Sequence, residues 1–166
     1  MRKILILISF FLCHFVYSQD LPTIPASGFS FPLGSKFTIK LVKTDSLVYD
    51  FQVIEMERFY KTVDSWTKEN LFDAKGKDST ITFYFCYATH GKSKKERNEN
   101  MQIILSMKNY SKLTLDYITE MQIKEDGKYE KTSNVGMFPG VVTTEEWPHM
   151  INMIGIRNIT DNKRFK

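Results

Sequence analysis

The chain has 166 residues and a mass of 19.5 kDa, with 42% apolar and 25% charged residues and a formal net charge of +4. That is the composition of one globular domain, and it excludes collagen-like repetition and wholesale disorder. The charge is too small for the concentrated basic field that nucleic-acid binding needs, so no nucleic-acid partner is expected.

Met1, Arg2 and Lys3 give a basic start, Ile4 to Val16 is mostly apolar, and Ser18 closes the run. This pattern predicts a secretory signal peptide over residues 1–18. As a helix the apolar run would reach only about 20 Å, short of a ~30 Å hydrocarbon core, so no transmembrane segment is expected in the mature chain. Phe10, Phe11 and Leu12 precede Cys13 where a lipid-attachment site needs small residues. The expected location is the periplasm or cell surface, or outright secretion. Processing removes Cys13, Arg2 and Lys3, which leaves Cys86 as the one cysteine and lowers the net charge to +2. About 148 residues then remain, enough to bury about 70% of the extended chain's surface in one core.

Residues 19–35 hold Pro22, Pro25 and Pro32 and predict an extended lead-in, with an edge strand as its structured form. A single β domain is expected over 36–160, followed by a basic tail over 161–166. Phe37, Ile39 and Leu41 alternate with polar residues, and after the turn Thr44-Asp45-Ser46 so do Tyr49, Phe51 and Val53, giving a first hairpin. The alternation changes phase at Val53-Ile54, as a bulge would make it. Asp64 is placed to cap a short helix over Ser65 to Phe72, and residues 73–79 are turn material.

Ile81 to Tyr87 is apolar on both faces and belongs at a sheet centre, with Cys86 expected as a small buried hydrophobe. Residues 91–100 read as a charged connector whose Lys92, Lys94, Lys95 and Arg97 form a solvated tip. Met101 to Met107 and Leu113 to Ile123 alternate again, and Asp126-Gly127 predicts an antiparallel return through Tyr129 to Ser133. Val141 to Thr144 resumes regular structure, Glu145 to His149 reads as a loop, and a last strand is expected from Ile151 to Ile159.

About seven to eight strands at short spacing predict an all-β fold, an antiparallel immunoglobulin-like β-sandwich, with an eight-stranded lipocalin-like barrel as the alternative. The turn Lys108-Asn109-Tyr110-Ser111 followed by Leu113-Thr114-Leu115-Asp116-Tyr117 is similar to small bacterial immunoglobulin-like modules. The resemblance implies the sandwich and carries no function.

No nucleophile with a base, phosphate loop or metal cluster can be assembled from these residues, so neither catalysis nor a cofactor is expected. Cys86 and His90 lie four residues apart, about 13 Å along a strand, too far for a catalytic dyad. Glu55 and Glu57 share a strand face at a spacing that glycosidic chemistry uses, which makes a carboxylate-based hydrolase one alternative. His149, Met150 and Met153, with Met121 and Met137, offer soft ligands for periplasmic copper as another.

The preferred reading is an exported, non-catalytic binding or structural module of the bacterial envelope, its partner an unknown envelope protein or polysaccharide. Its expected contact surface is the loop end from Gly136 to His149, with Glu145, Glu146, Trp147 and His149 as contact residues. Trp66 and Trp147 both fall in segments expected to be irregular, and Trp147 fits a lid over the domain's end better than an exposed anchor. Two sequons start at Asn109 and Asn158.

Overall fold

The computed structural model describes residues 21–22, 24–67 and 70–162. The expected signal peptide and the basic residues of the tail lie outside them. The described elements are β1 (Gly28–Pro32), β2 (Ser35–Lys43), β3 (Val48–Arg58), β4 (Val63–Asp64), β5 (Thr80–Thr89), α1 (Lys94–Glu99), β6 (Gln102–Asn109), β7 (Leu115–Gln122), β8 (Glu130–Thr132), β9 (Val142–Trp147) and β10 (Met153–Asp161). The strands form one sheet in the order β8-β7-β10-β3-β2-β5-β6-β9, curled into a half-barrel. β1 adds to β10 and β4 to β5, and the β4–β5 pair is the parallel one among otherwise antiparallel ladders. The all-β class holds.

Period-two patterning decides which face of each strand turns inward. Phe37, Ile39 and Leu41 of β2, Tyr49, Phe51 and Val53 of β3, and Ile81, Phe83 and Phe85 of β5 join one buried cluster with Ile103, Leu105 and Met107 of β6. Ile154, Ile156 and Ile159 of β10 close it from the other side. Each such side chain contributes roughly 1.5–3 kcal/mol on burial, so this cluster is the main source of stability. β1 brings Phe31 into it from the proline-rich lead-in, where its ring stacks on Phe37, and Phe37 stacks in turn on Phe83.

Two irregularities bend the sheet. Thr38 faces Glu55 while Ile39 faces Val53, so Ile54 is the extra residue of the expected bulge, and beyond it Met56 turns inward while Glu55 and Glu57 stay out. On β10 the register shifts between Arg157 and Thr160, around Asn158 at φ 51. Before that point β10 pairs with β1, and after it with β3. Asparagine is among the few non-glycine residues that tolerate this left-handed conformation.

β5 is buried on both faces, as its sequence requires. Its outward Tyr84, Cys86 and Ala88 pack with Ile104 and Val63 in a second cluster, covered by Phe59, Leu71 and Phe72. That covering corrects the expected helix from Ser65 to Phe72. Asp64 does cap a turn, its Oδ1 accepting from the Trp66 and Thr67 amides, but Val63 is held extended against Ala88 and the chain is drawn down onto the second cluster.

The helix forms instead at Lys94–Glu99, within the segment read as a connector. Ser93 and Glu96 make a reciprocal capping box: the Glu96 amide donates to Ser93 Oγ, and Glu96 Oε2 accepts from the Ser93 amide. The Asp-Gly return is present, with β8 pairing β7 and Asp126 at φ 60. Glu145 to Trp147, expected in a loop, instead complete β9, which pairs with β6 from Ile103 to Lys108.

Candidate functional site

The expected contact set lies on β9 and just beyond it, and strand alternation divides it. Glu145 and Trp147 turn into the half-barrel, each 7% exposed, while Glu146 points outward and His149 is exposed past the strand's end. Trp147 packs in the main cluster and its Nε1 donates to Thr132 Oγ1 at 3.3 Å.

Glu145 Oε1 accepts the Tyr117 hydroxyl, and Oε2 is buried without a partner. Burial outweighs this donor and pushes the carboxyl up to about 7. Tyr117 is raised as well, by burial and then by the charge on Glu145. The four residues therefore do not make one contact surface.

The outward face of β9 forms a different feature. A cleft of about 490 Å³ lies between that face, the outward face of β6 and residues 63–65 and 70–72. Its floor consists of three cross-strand pairs, Ile104 with Glu146, Ser106 with Thr144 and Lys108 with Val142. The Ser106 and Thr144 hydroxyls are 3.0 Å apart at its middle. Leu71, Phe72 and Val63 supply an apolar wall.

Asp64, also in the wall, is pulled below the usual carboxylate range by the Thr67 and Trp66 amides and by Arg97. Arg97 reaches Asp64 at 3.1 Å and donates through Nε to the Gly91 carbonyl, so α1 is fastened to the wall. Next to Asp64, Trp66 is 65% exposed and stacks on His90 with ring centroids 4.7 Å apart. The two tryptophans thus have opposite roles, one in the core and one in water.

Glu55 and Glu57 do share the outward face of β3, and Lys36 Nζ donates to Glu57 at 2.7 Å. Among the soft ligands, Met153 pairs with Gln122, next to Met121 on β7, and Met137 lies elsewhere. Met137 is in the core opposite Leu115, whereas Met121 lies six residues further along β7, about 20 Å away. Met150 is exposed and accepts from the Tyr87 hydroxyl. Among the described residues no group of three or more His, Cys, Asp or Glu is placed to hold a metal.

Cys86 is buried on the outer face of β5, and burial pushes its thiol up to about 12. Asn109 of the first sequon is also buried; its amide donates to the Leu113 and Met137 carbonyls while its oxygen accepts from Ser111. Asn158 of the second is exposed. Among the described residues no helix is long and apolar enough to cross a membrane.

Comparison with protein-family models, curated proteins and solved structures finds no match for this chain.

The cleft was hidden from sequence reasoning because its wall comes from a segment read as a helix and its floor from strands more than thirty residues away. The run Val142 to Trp147 carries no polar-apolar alternation, so Val142, Thr144 and Glu146 read as one outward face only once β9 is known to be a strand.

Proposed function

We propose that the protein is an exported, non-catalytic binding module of the bacterial envelope, with a barrel-like rather than sandwich-like body, that takes an envelope polysaccharide in the cleft between β6, β9 and residues 63–65 and 70–72. One observation carries the reading: a concave surface of about 490 Å³ that sets an apolar wall, Leu71 and Phe72, against the paired hydroxyls of Ser106 and Thr144 and the carboxylate of Glu146. Ligand sites combine an apolar lining with a few placed polar groups in this way. A sugar ring offers the complement, an apolar face of C–H groups edged by hydroxyls. Trp66, exposed beside the wall, supplies a flat ring on which a further sugar unit can lie. Glu55 and Glu57, the alternative hydrolase pair, line a separate hollow of about 460 Å³ in which Lys36 holds Glu57.

Titration calorimetry with purified envelope polysaccharides tests the reading. Saturable binding without cleavage is expected, and it is expected to disappear in Thr144→Trp, which fills the middle of the floor from an exposed position. Binding that survives Thr144→Trp would remove the cleft. Capture of an envelope protein in place of any glycan would replace the polysaccharide by a protein partner.

A further inference from the structure

β8 and β9 are the two ends of the sheet path, and among the described residues no backbone ladder joins them. The chain from Thr132 to Gly136 nevertheless lies against β9. The connection is made by three side chains in alternate positions of β9's inner face. Thr143 Oγ1 donates to the Gly136 carbonyl at 3.4 Å, Glu145 accepts the hydroxyl of Tyr117, whose carbonyl in turn receives the Asn134 side-chain amide, and Trp147 Nε1 donates to Thr132 Oγ1 at 3.3 Å. The middle rung is the only one that ionises.

We propose that Glu145 is a proton-operated latch on this seam: with its proton it holds β9 against residues 132–136, and without it that edge of the half-barrel opens.

The surroundings of the carboxyl give the reason. β6 presents Leu105 and Met107, and the neighbouring inward residues of β9 are Thr143 and Trp147. β7 presents Leu115, Tyr117 and Thr119, and Tyr117 is the titratable group among them. From β8 the nearest ionisable residue on the same face is Glu130, which is exposed. No cation faces Glu145 from any of these elements. The Tyr117 hydroxyl is itself shared with Met107 Sδ. A carboxylate there has the Tyr117 hydroxyl for Oε1 and no donor for Oε2, and an uncompensated buried charge is relieved most readily by admitting water. The rungs on either side are single long hydrogen bonds and oppose such opening weakly. Burial places the transition near neutrality.

This inference is independent of the cleft, which lies on the other face of the same strand. Hydrogen exchange read by mass spectrometry at pH 5.5 and 8.5, corrected for intrinsic exchange, tests it on the mature protein. Residues 132–147 are expected to lose protection by about tenfold or more at the higher pH while β2 and β5 keep theirs. Glu145→Gln is expected to stay protected at both. The same pH response in Glu145→Gln, or a loss shared equally by β2 and β5, would overturn the latch. Should Glu145→Gln not fold, Tyr117→Phe removes a donor to the anion in the closed state and is expected to move the midpoint of opening to lower pH; an unmoved or raised midpoint would count against the proposal.

Discussion

The Tyr117 hydroxyl on β7 donates to Glu145 Oε1 on β9, joining strands from opposite ends of the sheet path across its interior. Because burial dominates, the folded carboxyl titrates at about 7 against an ordinary 4.5. The native state therefore holds this proton over a range where the unfolded chain has lost it. Stability from this group is full below about pH 4.5 and is lost as pH rises through about 7, by roughly 3 kcal/mol in all. Melting temperatures taken from pH 5 to pH 8 are expected to fall in the wild type and to change much less in Glu145→Gln. Equal slopes would show that the carboxyl titrates in its ordinary range.

Trp147 and Trp66 should separate stability from binding. Trp147→Ala empties a position in the main cluster and is expected to cost roughly 3 kcal/mol or more, with polysaccharide affinity per folded molecule unchanged. Trp66→Ala touches a ring that is mostly in water and is expected to leave stability within about 0.5 kcal/mol while weakening binding. Denaturant titration and calorimetry on the same two variants check both halves.

Ser93→Ala removes one side of the capping box and is expected to cost about 1 kcal/mol of helix stability. As α1 buries no residue of its own, the loss should remain local. Amide exchange confined to residues 93–99, with an almost unchanged global melt, is the expected result.

The thiol of Cys86, buried and held largely protonated, is expected to resist a soluble disulfide reagent in the native protein and to react at once in denaturant. Rapid native labelling would show that the cover formed by Phe59, Leu71 and Phe72 opens readily.

Much of the sheet was legible because the strands that build the core carry their own pattern. β5, apolar on both faces, had to be central, and the phase change at Val53-Ile54 marked the bulge. Elements decided by distant partners were not legible. Asp64 and the residues after it resemble a helix start, yet Val63 pairs with Ala88, twenty-five residues on, and the extended path wins. The capping box at Ser93 and Glu96 was readable, but the run of lysines around it suggested a solvated tip. Glu145-Glu146-Trp147 before a proline looks like a loop because two adjacent glutamates disfavour a strand. What makes it one is β6 on one side and Tyr117, twenty-eight residues earlier, accommodating the buried carboxyl. The strand also divides the expected contact set, turning Glu145 and Trp147 inward and leaving Glu146 and His149 outside.

The position of β10 bears on how the molecule is made. It pairs with β7 along one edge and with β1 and then β3 along the other, so it joins the β7–β8 hairpin to the rest of the sheet. A chain emerging from its N-terminal side makes β10 last of the described strands. Until residue 161 is available, the edges of β3 and β7 that it will occupy have no ladder, and both are long enough to pair with a neighbouring molecule. Its contacts with β1 and β3 span more than a hundred residues, an arrangement that slows folding. Truncation within β10 should therefore yield aggregates rather than a smaller folded unit, because both edges that it covers would stay open.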